Sequence, residues 1–442
     1  MMMRRRMSPL VFIAALLFAG SFLFEGATCD RREVVNFDFG FRHLLGGDSE
    51  DDLPGACANG TEGVNYGTGG LMIGAVSTPS ECCAECDAAS SYGCGCWDWN
   101  IETQECWIKR NCSAFEKNAE RFSAMHSTRG QIPFMAKRTF DDTSWQIVNA
   151  PHDMLIVQKY DQTASKRQAF LPRGNGWYRK TFYLPSDWKD DSNVWMQIEG
   201  SFHQTYVYVN DQLAAFHDAG YTSFNVRLDN VSGIRFGQGV QNENLVSIFV
   251  NGDTGTGWWY EGAGLFRHLK LLRTDRVYLT DKTWVSPVVA GNSEVSAFVG
   301  VRNDGKAAKS FSGTIDVIDS GNGKRVGSAS FQTSVIDAGG EFYGQIHVHV
   351  SGVKAWSVQQ PHMHTVQFAL AGDDTFDSLN ISAGFRDVRF DPEQGLYVND
   401  ERVKLRGFCD HSTFGGVGSA VPDRINLFRA QALRAIGANS WR

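Results

Sequence analysis

Between residues 133 and 275 the chain alternates apolar and polar side chains in short runs: WYRKTFYL, VWMQIEG, QTYVYVN, LVSIFVN and HLKLLRT. Alternation with period two puts successive side chains on opposite faces of a strand, so each run has one face to bury and one to hydrate. Turn residues such as Asn210-Asp211 and Asn251-Gly252 bound these runs. Strands of this kind satisfy their apolar faces by packing sheet on sheet, which predicts a β-sandwich.

A second set, VSAFVGVRN, SGTIDVIDS, YGQIHVHV and TVQFALAG, lies between residues 277 and 385. With hairpin turns expected at Asn303-Asp304-Gly305 and Gly321-Asn322-Gly323, it reads as an immunoglobulin-like β-sandwich. After Arg386 the pattern changes to a hairpin-like GLYVNDERVKLRGF and a glycine-rich loop through Gly418. A helix follows, with Ile425, Phe428, Ala432, Leu433 and Ile436 on one face. Pro422 and Asp423 suit its start and Gly437 its end. Asn439-Ser440-Trp441-Arg442 would begin the next strand, so residues 388–442 read as the first βα unit of a TIM barrel, truncated. The predicted class is multidomain and mainly β.

Eight of the 10 cysteines (Cys57, Cys82, Cys83, Cys86, Cys94, Cys96, Cys106 and Cys112) fall in one short segment poor in sustained periodicity. A module of residues 54–130 that cannot bury much apolar surface needs disulfides to hold it, which implies an oxidising compartment. Cys83 and Cys86 have C-x-x-C spacing, but a second pair and nearby histidines are missing, so bridges are favoured over zinc. Arg4, Arg5 and Arg6 followed by an apolar stretch from Pro9 to Phe24 have the layout of a signal peptide over residues 1–27, with an uncleaved signal anchor in the membrane as the alternative. Sequons at Asn59, Asn111, Asn230 and Asn380 suit a secreted glycoprotein.

With 42 Lys+Arg against 49 Asp+Glu, the net charge of -7 argues against a dedicated nucleic-acid partner and favours a neutral or polar ligand. No nucleophile elbow, phosphate loop, H-E-x-x-H pair or dinucleotide fingerprint is present. Asp410 beside His411, and Glu261 after Trp258-Trp259-Tyr260, are suggestively placed, but neither sits in a signature that fixes a partner. Each is expected to be a surface loop or cap acid.

Several separated stretches, in order, resemble glycoside hydrolase family 2, which includes β-galactosidases, β-glucuronidases and β-mannosidases. NFDFGFR resembles its opening strand, and FDDTSWQIVNAPHD, NGWYRKTFYLP and VWMQIEGSFHQTYVYVNDQLAAFHDAGYTSF its jelly-roll-like sugar-binding sandwich. WWYEGAGLFRHLKLL, with Gly262, Gly264 and Arg267, is similar to the stretch that closes that sandwich, where glycine permits a close backbone approach. NDERVKLRGFCDHSTFGGVG and LRAIGANSWR are similar to the first barrel strand and its loop, then the helix end and second strand. ECCAECDAASSYGCGCWDWNIETQECWIK resembles a PAN/apple domain, a short cysteine-bearing helix on a small sheet with Trp97, Trp99 and Trp107.

The resemblance implies a sugar-binding sandwich of residues 31–50 and 131–275 interrupted by the apple-like module, whose ends should then lie close together. It implies an exported, retaining exo-β-glycosidase acting on carbohydrate, with galactosidase-like members closest over Cys409 to Asp423. His411, Arg442 and Asp410 would bind substrate at the carboxyl ends of the first barrel strands. The family's catalytic glutamates follow later strands, so no residue here inherits those roles and the chain by itself is expected to be inactive and incomplete. No metal site or cofactor is visible, a divalent cation in the complete enzyme being left open. The apple-like module would take a glycan or protein ligand. The competing reading is a secreted, non-catalytic adhesion module that binds glycan or protein.

Overall fold

A computed structural model describes residues 32–45, 132–253, 255, 257, 259–289, 293–372 and 375–442. It also describes, as backbone strands alone, Thr61–Asn65, Leu71–Ala75, Cys96–Asn100, Glu105–Lys109 and Glu116–Met125.

The alternating runs form a sandwich of two antiparallel sheets. One has the order Glu33–Asn36, Leu269–Asp275, Ser192–Ile198, Phe224–Arg227. The other runs Gln212–His217, Thr205–Val209, Asn244–Val250, Gly176–Phe182, Phe41–Leu45, Gln146–Val148. Between them Phe41, Val194, Met196, Val207, Ile248 and Leu271 belong to one core. The six-stranded sheet is covered on its other face too, by Ala136, Trp145, Trp177, Tyr206, Tyr208 and Phe249. Every residue of Asn244–Val250 is therefore buried, as a strand enclosed on both faces requires.

NFDFGFR is two strands rather than one. The chain crosses from the four-stranded sheet to the six-stranded one at a corner where Gly40 takes φ +75°. The corner is held by Asp38, which accepts from Leu269 N at 2.7 Å and from Asn36 Nδ2 at 2.9 Å.

The five backbone strands of residues 61–125 make one antiparallel sheet that falls, in sequence, between Phe41–Leu45 and Gln146–Val148. Those flanking strands pair with each other, His43 opposite Gln146, and Leu44 and Ile132 pack on the same cluster. The chain thus leaves and re-enters the sandwich on one patch. Cys57, Cys82, Cys83, Cys86, Cys94 and Cys112 lie outside the described residues, as do the proposed signal and the sequons at Asn59 and Asn111. Cys96 and Cys106 are described only as strand backbone, and Cys409 is a free, exposed thiol. Asn230 and Asn380 are exposed.

In the second sandwich Val277–Leu279 and Trp284–Val288 lie along one edge of Glu294–Asn303, and Glu341–His349 lies along the other. The facing sheet has the order Arg325–Gln332, Ser312–Asp319, His364–Gly372, Thr375–Ala383. The turn at Gly321-Asn322-Gly323 joins paired strands as expected. Asn303-Asp304-Gly305 does not: it starts a crossing between the sheets, because Glu294–Asn303 pairs with Glu341–His349 and not with Ser312–Asp319. The Asn303 amide holds that crossing, donating to Ala307 O and Ile336 O, both at 2.9 Å. Arg32 joins the two sandwiches through Asp377, whose carboxylate is fully buried and also accepts from Leu279 N.

After Arg386 the hairpin Gly395–Val398, Glu401–Arg402 turns at Asn399 and Asp400, both with positive φ. Gly407–Phe408 and Ser440–Trp441 pair in parallel on either side of the helix Asp423–Ala435, which starts after Pro422 and ends before Gly437 at φ +82°. Leu427, Phe428 and Ile436 stand exposed. Among the described residues no helix is long and apolar enough to cross a membrane.

Inside the first sandwich His43 packs against His152 and Tyr178, with ring centroids 4.7 and 4.6 Å away. Burial, reinforced by His152, drives the His43 pKa down to about 3. The unfolded chain binds that proton near an ordinary pKa of about 6.5, so between these values it carries more protons than the fold and stability decreases as pH falls. The thermal midpoint followed by circular dichroism should drop between about pH 6.5 and about pH 4, and His43→Phe should flatten that slope.

Candidate functional site

Parallel pairing of Gly407–Phe408 with Ser440–Trp441 brings both carboxyl ends to one rim. The ladder continues past the strands, with Asp410 N donating to Arg442 O at 2.8 Å and Arg442 N to Phe408 O at 3.1 Å. Asp410, His411 and Arg442 consequently line one pocket of about 340 Å³. The opposite wall comes from the sandwich and includes Glu199, Arg267 and His268. Gly200 makes room there, since a Cβ on it would meet Arg267 Cδ at 2.9 Å. Four cationic or imidazole groups, Arg267, His268, His411 and Arg442, from two sequence-distant parts of the chain thus face a space that a small polar ligand can enter.

His268 donates through Nδ1 to the Asp38 carboxylate at 2.7 Å, and its Nε2 lies 3.4 Å from Asp423 at the start of the helix. Burial disfavours its charge, but the Asp38 bond and the carboxylates of Asp38, Asp423 and Glu199 outweigh that and raise its pKa. Around neutral pH this keeps a larger cationic fraction at the pocket wall.

Asp410 is not free to meet a ligand with both oxygens: Arg429 holds its carboxylate at 2.7 Å. The same guanidinium donates to Thr413 O at 2.8 Å and His411 O at 3.3 Å, and lies near the rings of Phe414 and Trp441. Arg429 therefore positions the loop that carries His411. The His411 ring also faces Trp259, with centroids 5.6 Å apart and planes inclined by 34°.

Glu261, expected on a surface loop, is buried. Its carboxylate pairs with Arg173 at 2.9 Å and accepts from the Tyr221 hydroxyl at 3.0 Å, while its own N–H donates to Gln168. A buried carboxylate with these donors is a structural clamp for the loop that delivers Trp259.

The wall and the rim are locked together by Asp153. Its Oδ2 accepts from Ser419 N at 2.8 Å, Ser419 Oγ at 3.0 Å and the Tyr260 hydroxyl at 2.9 Å. Its Oδ1 accepts from Leu155 N at 3.0 Å and Ala263 N at 3.4 Å. Burial, then the Asp153 charge, pushes the Tyr260 pKa far up, so that hydroxyl remains a donor. Gly262 and Gly418 have φ of +70° and +60°, and a Cβ on either would fall within 2.4 Å of Asp153 Oδ2. The close approach expected of the WWYEGAG stretch is made at this carboxylate.

His411, Asp410 and Arg442 were expected from sequence as substrate-binding residues, and Arg267 only as part of the stretch that closes the sandwich; Glu199, His268, Asp423 and Arg429 were not expected. Arg429 has a faint signal, a cation on the polar side of an amphipathic helix. The other three carry none, because their partners are remote in sequence.

Asp153→Ala would leave buried donors from three segments without an acceptor. We expect a loss of about 3–5 kcal/mol in stability, with faster amide exchange at Ser419 than at strand positions of the second sandwich.

Residues 277–386 match the family model "Glycosyl hydrolases family 2". The chain is 26% identical over 308 residues to a beta-galactosidase of Thermoanaerobacter pseudethanolicus, covering 67% of this chain and 39% of that protein. It is 23% identical over 330 residues to a beta-glucuronidase of Formosa agariphila, covering 68% of this chain and 33% of that protein. The crystal structure of a glycosyl hydrolase family 2 member from Bacteroides cellulosilyticus superimposes with a TM-score of 0.63 at 29% identity, covering 71% of this chain and 42% of that one. The chain spans 29% to 40% of the length of the curated relatives first matched. The matched segment and these relatives establish the similarity of this chain to glycosyl hydrolases family 2.

Proposed function

We propose that this chain is the sugar-binding part of a retaining exo-β-glycosidase that removes a terminal β-galactosyl residue. The observation that carries the reading is the convergence of His411 and Arg442 with Arg267 and His268 around one pocket at the carboxyl ends of two parallel strands. In retaining hydrolysis one carboxylate attacks the anomeric carbon while a carboxylic acid protonates the departing oxygen. Neither role is assigned to a residue of this chain. Its own residues bind and orient: the two arginines and His411 donate to hydroxyls of the terminal sugar, and Trp259 backs the His411 ring. The glutamates would come from further βα units, which would also cover Leu427, Phe428 and Ile436, apolar groups too exposed to be left to water together.

A β-glucuronide is the second substrate class, favoured by the pocket's arginines, since a guanidinium pairs well with a sugar carboxylate. The complete protein should hydrolyse an aryl β-galactoside in preference to the matching β-glucuronide, and His411→Ala or Arg442→Ala in it should lower kcat/KM by about 100-fold. The 442-residue chain alone should show no turnover. Turnover by that chain, or variants of unchanged kcat/KM, would overturn the reading.

We further infer that the five-stranded segment is an inserted PAN/apple-like module stapled by disulfides and binding a glycan or protein, in a protein exported through the secretory pathway. Its position between the paired strands Phe41–Leu45 and Gln146–Val148 supports an insertion, and the exposure of Asn230 and Asn380 suits glycosylation. Protein secreted by a eukaryotic host should shift on a non-reducing gel after reduction and lose mass on enzymatic deglycosylation; unchanged mobility in both assays would count against export.

A further inference from the structure

The sheet of Trp284–Val288, Glu294–Asn303 and Glu341–His349 buries Val295, Ala297, Val299, Val301 and Val348 in the second core. Alternation sends Trp284, Phe298, Gly300, Tyr343 and Gln345 to the opposite face. In register, Trp284 lies opposite Phe298, Phe298 opposite Gln345, and Gly300 opposite Tyr343.

Trp284 rests flat on Phe298, with centroids 3.9 Å apart and planes within 6°. One ring face is covered, yet Trp284 is 50% exposed, so the other face meets solvent. Tyr343, also 50% exposed, leans over Gly300, where a Cβ would meet its Cε1 at 3.3 Å. The two aromatic rings stand on strands two apart in the sheet, about 10 Å.

Single exposed aromatics are ordinary, but a stacked ring with a second one on the same face, two residues further along the sheet, makes a platform. The charges around it neutralise one another. Glu341 accepts from Lys282 at 3.0 Å, Arg302 at 2.9 Å and the Tyr343 hydroxyl at 2.5 Å, while His347 lies 2.7 Å from Glu294. Lys282 also sits 4.5 Å from the Tyr343 ring centre. The surface offers the open face of Trp284, the half-exposed Tyr343 ring and hydrogen-bonding groups with little net field. Pyranose rings match it, setting C–H groups against an aromatic face and hydroxyls against the polar border.

The geometry points to a second, non-catalytic glycan-binding face on the immunoglobulin-like sandwich, taking a neutral polysaccharide along Trp284 and Tyr343. It shares no lining residue with the His411–Arg442 pocket. The ligand class rests on the glycosidase reading, whereas the place does not.

Affinity electrophoresis of the full chain through gels containing a linear galactan, a xyloglucan or a cereal β-glucan tests it, with polygalacturonate as an anionic control. Retardation by at least one neutral polysaccharide is expected, weakened at least about tenfold by Trp284→Ala and by Tyr343→Ala. Thermal midpoints establish that each variant is folded; should Trp284→Ala unfold, Tyr343→Ala, at a surface position, decides. Absence of retardation by all three, retardation by polygalacturonate alone, or folded variants that bind as the parent does would each overturn the proposal. Aryl-glycoside turnover by the complete protein reads the glycosidase assignment separately.

Discussion

A carboxylate that is 2% exposed holds this molecule's pocket in shape. Burying an ionised Asp is tolerable only when donors replace its water, and Asp153 collects five from its own turn, the loop at residues 260–263 and Ser419. Those segments can approach it closely only because Gly262 and Gly418 lack side chains and adopt positive φ. Since Ser419 also lines the pocket, the charge that ties the first sandwich to the βα unit sets the distance between the pocket's two walls.

The same device recurs nearby. Asp38 is buried at the strand corner and fixes both Leu269 N and the His268 ring. Asp377 is buried at the junction of the sandwiches and takes Arg32 and Leu279 N. Glu261 takes Arg173 and Tyr221. Each removes one acid from solvent and joins elements far apart in sequence, so the domains are oriented by charge-assisted hydrogen bonds as much as by apolar contact. The side chains left facing the pocket are Arg267, His268, His411 and Arg442.

Much of the architecture was legible because it is local. Period-two runs announce strands whichever partners they find, Asn210-Asp211 and Asn399-Asp400 tolerate the positive φ that tight hairpins demand, and Pro422 and Gly437 bracket a helix by backbone sterics alone. Asn303-Asp304-Gly305 misled for the same reason. Its turn chemistry is genuine, but a turn does not specify whether the next strand pairs with the last or crosses to the other sheet; the Asn303 amide bonds to Ala307 and Ile336 decide that.

The sequence by itself determined the strand-rich segments and the βαβ ending, since periodicity, caps and chain order do not depend on distant partners; the placement of His411, Asp410 and Arg442 at strand ends was implied by the resemblance to the family. Tertiary structure alone decided that Glu261 is a buried clamp, that Asp410 is held by Arg429, and that His268 and Glu199 complete the pocket. The physical reason is that burial and hydrogen-bond partnership belong to pairs of segments brought together by folding; a residue type carries the capacity for them but not the neighbour.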